Sequence, residues 1–412
     1  MNKSTVKLAV PAAEVSARPS AGSGWRRWLL MAVLVSSAPC MALLFTALGP
    51  VLPGLAGYFS QGRDGALVAQ LVMTMPSVGI IIGGPVTGWL VERWGRRRTL
   101  FAALALYSAA GCAGYLLTDA TVLLASRLVL GLCAAGVATS TLALIGDYFD
   151  SETRGRILGY QNAGGAAFGL LSLLMAGAIG ESHGWRAPFG MYAFGVLILL
   201  AAACALPSGT ARKAPAAAME AAGGSILSLW PVYLLIVVVY LAVFMSAVQL
   251  SFLLAVDGVT SPQVMSWVMA SGSVATIAGS ASFGALHARL GGRWTFFGCL
   301  ALMAAGYGVI GATHSIGWTM AGGVLAGAGG GCIGPYLANL LLERAAPAVR
   351  GRAAGFMYSA VFLGDFVNPL VVTPLRTGLG IHQAFLVIAA ALALGAAWVL
   401  ARGVRQAAAP RP

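Results

Sequence analysis

Charge is what this chain of 412 residues has least of: Asp, Glu, Lys and Arg together make up 9% of it, against about 25% in a soluble domain. So little charge does not solvate the surface of a globule this large, which excludes a soluble protein with a rich core. Cysteine is sparse as well. Its six copies (Cys40, Cys112, Cys133, Cys204, Cys299, Cys332) lie singly in apolar stretches with no CxxC pair. They are expected as buried free thiols, not as a disulfide framework. The four histidines (His183, His287, His314, His382) show no metal-ligand spacing, so neither a metal nor any other cofactor is expected. HExxH, GxSxG and paired carboxylates facing a substrate are missing too, which argues against an enzyme.

What the chain has instead is apolar length. It is 59% hydrophobic, with 55 glycines and a mean hydropathy of +0.85. Small residues at this density suit helices that pack closely in lipid. Crossing the hydrocarbon core takes about 20 residues of helix. Apolar runs of that order fall at 28–52, 67–90, 99–117, 122–146, 157–180 and 188–206, then at 230–256, 263–287, 294–313, 318–342, 354–375 and 382–401. The expectation is an all-α membrane protein of twelve spans, since β-barrel strands alternate over about ten residues.

The basic residues orient it. With the termini inside, twenty-one lysines and arginines fall on the tails and even-numbered loops, and only Arg63, Arg186 and Arg376 on the other face. Both termini are therefore expected in the cytoplasm, with the chain in the inner (plasma) membrane. The net charge of +13 is thereby spent on topology, and no nucleic-acid partner is expected. Residues 1–24, rich in Ala, Ser and Pro, read as a disordered tail, not a signal peptide. Residues 25–206 and 229–402 read as two six-helix halves, 207–228 as the cytoplasmic linker and 403–412 as a second tail.

The two halves echo each other. Residues 88–100 read GWLVERWGRRRTL; 196 positions on, Gly88, Arg93, Gly95 and Arg97 meet Gly284, Arg289, Gly291 and Arg293. The same offset pairs Asp147 with Glu343, Gly131 with Gly327, and Arg154, Gly155 and Arg156 with Arg350, Gly351 and Arg352. A duplicated six-span unit builds transporters with a site between the halves.

At these residues the chain resembles the major facilitator superfamily, drug/proton antiporters in particular. GWLVERWGRRR resembles that family's signature between spans two and three, with Glu92 in place of the usual Asp. RLVLGLCAAG (127–136) resembles the span-four motif with its intramembrane arginine, here Arg127. LGPVLPGL (48–55) is similar to the proline-containing end of span one in exporters. The resemblance implies two six-helix halves around a central cavity lined by spans one, four, seven and ten. It also implies a cytoplasmic gate of Gly88, Glu92, Arg93, Gly95, Arg96 and Asp147. There Gly88 would let span two approach span eleven, Glu92 would face the N-terminus of span eleven, and Arg96 would pair with Asp147. Ala288 stands where the second copy of Glu92 would be, so the latch is expected to be asymmetric.

Two charged residues lie clearly within spans, and each needs a reason, because insertion there costs about 2.5–3.5 kcal/mol. Asp365, in LGDFVNPL, is read as a proton-coupling or substrate-binding carboxylate, or else as a structural acid bonded to Asn368 or to serines of span two. Arg127 is read as tuning a proton relay or attracting an anionic substrate, or else as a packing ion pair. Gln249, Tyr240, Tyr336 and Asn339 are candidates for the cavity wall or for interhelical hydrogen bonds. Pro76, Pro335, Pro369 and Pro374 mark expected kinks.

The expected function is secondary active transport by alternating access: proton-coupled efflux of a small amphipathic compound by a monomer in the bilayer. Ser172 and Leu173 replace the Gly-Pro that exporters carry in span five, and span one has no acid, so proton-coupled uptake of a small organic anion stays open. A non-transporting membrane sensor is the remote alternative.

Overall fold

The computed structural model describes residues 24–60, 64–149, 151–206, 226–346 and 349–408. Residues 1–23 of the first tail, most of the expected linker and the last four residues lie outside these, and the last helix runs to Ala408, inside the expected second tail. Among the described residues the regular structure is helical throughout, and ten helices are long and apolar enough to cross a membrane. Two of the twelve expected crossings are hidden in that number. Pro262–Ala312 runs for 51 residues, or about 76 Å of helix, far more than a bilayer of about 30 Å can hold. It breaks at Gly291 (φ 75°, ψ 164°), which makes it spans eight and nine. Arg96–Ala113 carries three arginines in its first turn, which lower its hydropathy, yet it packs along span four as span three.

Span one is built from Gly24–Val35, Ser37–Thr46 and Leu52–Phe59. Span two is Gly65–Trp94, span four Ala120–Tyr148, span five Ser151–His183, and span six the turn Ala187–Ala193 with Phe194–Ala205. Span seven comprises Trp230–Val243 and Met245–Val256; span ten is Ile316–Arg344, span eleven Arg350–Leu379 and span twelve Ile381–Ala408. Side chains cap several starts: Asp64 accepts from Leu67 N, Asp119 from Val122 N and Ser261 from Val264 N, satisfying amides that have no partner within the helix. Trp28, Trp89, Trp230 and Trp318 are exposed near span ends, as in an interfacial aromatic belt. All six cysteines are free, but Cys112 is half-buried and Cys204 exposed, unlike the buried thiols expected there; the Cys204 stretch of span six faces outward.

The duplication is written in the backbone. Gly95 and Gly291, 196 positions apart, have φ of 85° and 75°; Gly184 and Gly380, also 196 apart, have 80° and 93°. At each pair a span ends in a conformation that glycine adopts at little cost. Close helix approaches repeat as well. A Cβ on Gly131 would lie 2.0 Å from Pro76 O, and one on its counterpart Gly327 2.2 Å from Gly272 O. Spans two and four, and likewise eight and ten, thus meet backbone to backbone.

The halves touch at the face opposite the termini. There Arg376 meets Asp64 at 3.6 Å and Ser261 Oγ donates to Glu181 at 2.7 Å. A Cβ on Gly177 would fall 2.3 Å from Ser266 Oγ. At the terminal face the expected close approach is not made. A Cβ on Gly88, Gly159, Gly284 or Gly355 would meet nothing within 4 Å, and Glu92 is exposed with no ion pair among the described residues. Gly88 therefore does not contact span eleven and Glu92 does not cap it. In this conformation the space that a side chain at Gly88 would fill is open, so nothing there holds the end of span two against span eleven.

Candidate functional site

Span two buries a polar stripe in its far half. Gln70, Thr74 and Ser77 are spaced for one helical face and are each 0% exposed. Span eleven presents Asp365 and Asn368 toward it, also 0% exposed. Glycines bring the stripes together: Gly79 and Gly131 seat span two on span four, and Gly364 lets span eleven close on span seven, where a Cβ would lie 2.8 Å from Val237 O.

Ser77 Oγ donates to Asp365 Oδ2 at 2.6 Å across the seam between the halves. Asp365 Oδ1 is buried with no hydrogen-bond partner. One turn further, an amide chain crosses the same seam. Thr373 Oγ1 donates to Gln70 Oε1 (3.1 Å), Gln70 Nε2 to Gln249 Oε1 (2.8 Å), Gln249 Nε2 to Asn368 Oδ1 (3.0 Å) and Asn368 Nδ2 to Leu241 O (2.9 Å). Every link but the last joins two different spans by side chains, and Gln249 is 0% exposed. On the terminal side of this layer, half-buried aromatics converge from both halves. Phe45 stacks on Phe362 at 5.9 Å and tilts against Phe244 at 5.8 Å, and Phe244 is 6.0 Å from Tyr240. The aromatic cluster is thus backed by a buried layer of amides and one carboxylate with a free oxygen. Such an oxygen can take a proton or an N–H or O–H of a bound molecule.

The structure brings Asp365, Asn368 and Gln249 together and leaves other candidates apart. Arg127 is fully buried, but its Nη2 donates to Ala110 O (2.6 Å) and Gly111 O (2.8 Å) at the end of span three. Its guanidinium lies 4.9 Å over Phe189 and 5.3 Å over Tyr192. Carbonyls at a helix C-terminus lack intrahelical donors and attract a cation, so this arginine is committed inside the first half, away from Asp365. Tyr336 stacks on Phe296 of span nine at 4.6 Å and so is turned from the seam. Asn339 is exposed. Among the gate residues, Arg96 pairs with Asp147, joining the start of span three to the end of span four within one half. Arg93 lies 5.1 Å over Trp89, and Gly95 supplies the turn between spans two and three.

Ser77 is the span-two serine that the structural reading of Asp365 expected, whereas Gln70 and Thr373 are site residues that sequence reasoning missed. Polar residues recurring at helical spacing inside an apolar run were the available signal for Gln70; Thr373 carries none. An open apolar groove of about 560 Å³ between spans nine and twelve, lined by Phe297, Ala301 and Ala389, lies on the outer flank of the second half and takes no part in this seam.

The fold and its bridged seam define a polytopic helical membrane protein made of two equivalent halves that meet around a central site. The chain belongs to the major facilitator superfamily, whose family model matches residues 34–260 and 232–412. It is 30% identical over 165 residues to a bacillibactin exporter of Bacillus subtilis (strain 168), covering 38% of this chain and 40% of that protein. It is 28% identical over 140 residues to an arabinose-proton symporter of Escherichia coli (strain K12), covering 34% and 29%. The chain thus spans less than half the length of these curated relatives. A solved structure of a D-xylose-proton symporter superposes with a TM-score of 0.72 at 17% identity, over 91% of this chain and 97% of that one; the likeness is one of fold.

Proposed function

We propose that the chain is a secondary active transporter that exports a small amphipathic compound by alternating access, driven by protons entering through Asp365. The observation that carries the reading is the half-satisfied carboxylate: Asp365 is buried in the seam, bonded to Ser77 of the other half through Oδ2 and left with a free Oδ1. A proton gained or lost there changes the Ser77 contact and hence the balance between the closed and open seam. The aromatic apex of Phe45, Phe244 and Phe362 suits an apolar cargo, and a relative is named as an exporter. In this reading both termini are cytoplasmic, the open face is the cytoplasmic one, and Arg96–Asp147 is the part of the gate that stays formed when the cytoplasmic side opens. Uptake of an organic anion relied on Arg127 as the attracting charge; the hydrogen bonds of its Nη2 to the carbonyls of span three weigh against that reading.

The test is proton movement in proteoliposomes containing wild type or Asp365→Asn, challenged with a panel of cationic and anionic amphiphiles. Coupled flux that disappears in the variant, with compound binding retained, is the expected result. Unchanged flux would make Asp365 a structural acid and overturn the reading.

A further inference from the structure

Three residues far apart in sequence meet at the face opposite the termini. Asp257 follows the end of span seven, His314 lies in the turn between spans nine and ten, and His382 is in the first turn of span twelve; they stand 57 and 125 positions from Asp257. His314 Nδ1 lies 2.6 Å and His382 Nε2 2.9 Å from the same oxygen, Oδ1 of Asp257, and the two rings are 4.3 Å apart. The three donor atoms fall within 4.8 Å of one another. The Asp257 side chain is 5% exposed, yet its second oxygen, Oδ2, is buried without a hydrogen-bond partner. A buried carboxylate oxygen without a donor is costly, and two imidazoles crowded on one carboxylate oxygen leave room for a bridging cation to improve the arrangement.

We propose that Asp257, His314 and His382 bind a transition-metal dication of the Zn²⁺ type. Two imidazole nitrogens and one carboxylate are a donor set for such ions and a poor one for Mg²⁺ or Ca²⁺, which prefer oxygen alone. Bonds of about 2.0–2.2 Å in tetrahedral geometry hold donors roughly 3.3 Å apart, so the contact to His382 needs to open by about 0.4 Å and that to His314 by about 0.7 Å. His314, 77% exposed, is free to make that movement and leaves a fourth position open to water. Bound there, the ion ties the end of span seven to the starts of spans ten and twelve, all within the second half. The site stands independently of the transported compound.

The test uses the full chain without a histidine tag and Zn²⁺ alone as the probe, in a non-chelating buffer, followed by calorimetry and thermal melting. Expected are one Zn²⁺ per chain, a raised Tm, and no response to Mg²⁺. His314→Ala and His382→Ala are each expected to weaken binding about tenfold or more, whereas His183→Ala leaves it unchanged. Because His314 is exposed, His314→Ala should melt like wild type without metal, which separates lost binding from lost folding. Wild type that binds no Zn²⁺, or binding that persists unchanged in the His314→Ala/His382→Ala double variant, overturns the proposal.

Discussion

Asp365 and Arg127 are both charged side chains buried in an apolar helix, and their surroundings give them opposite meanings. Arg127 has its Nη2 hydrogens on two carbonyls and its flat face on two rings, so its charge is held inside the first half, although its Nη1 is buried with no hydrogen-bond partner. Charged hydrogen bonds of this kind contribute about 1.5–3 kcal/mol. Arg127→Ala is expected to lower the Tm by an amount corresponding to about 2–3 kcal/mol, while the folded fraction keeps its ratio of protons to substrate; melting and flux on the same preparation check both. Asp365 has half its capacity free. Gln249 is a third case, because its amide is the middle of a four-link chain. Gln249→Leu strands Gln70 and Asn368, and a loss of about 1–2 kcal/mol is expected, read as a lower midpoint in thermal melting.

At the scale of elements, glycine decides where helices pack and where they part. Gly131 has the backbone of span two 2.0 Å from a would-be Cβ. Gly131→Val forces spans two and four apart, and a cost of about 1–3 kcal/mol is expected. Gly88 faces open space in this conformation, so Gly88→Val is expected to leave stability within about 0.5 kcal/mol. If the terminal face closes by bringing span two to span eleven, the same variant lowers the transport rate. Melting and transport measured together on both variants separate packing from gating; a Gly88→Val protein with full transport would remove Gly88 from the gate. The element boundaries were largely legible in the sequence. The run at 99–117 and the separate runs at 263–287 and 294–313 anticipated span three and the break at Gly291, although the arginines that open span three lower its hydropathy and the helix of spans eight and nine is otherwise continuous.

The molecule as a whole is closed on one face by the Asp64–Arg376, Ser261–Glu181 and Gly177–Ser266 contacts between halves. Alternating access requires that seam to part. The Cβ built on Gly177 lies 2.5 Å from Ser266 Cβ, so a slight separation brings cysteines at the two positions to the roughly 3.5–4.5 Å spacing of a disulfide. Gly177→Cys with Ser266→Cys, oxidised, is expected to stop transport, and reduction to restore it; transport that continues through the cross-link would exclude rocking of the halves at this seam.

Apolar run length and the scatter of arginines were sufficient for the membrane class and the number of spans, and glycines and charges matched at one offset for the twofold repeat. These properties are local and additive, and each residue contributes according to its own transfer energy and position in the chain. Asp365 and Asn368 stood out for the same reason, as costly groups in hydrocarbon. Which charge is free and which is spent was decided only by tertiary structure. Arg127 meets carbonyls 16 and 17 positions away, Ser77 meets Asp365 from 288 positions away, and Asp257 gathers one histidine from a turn and another from the start of span twelve. A hydrogen bond depends on distances of a few tenths of an ångström between segments, and helix packing, not the order of residues along the chain, sets those distances.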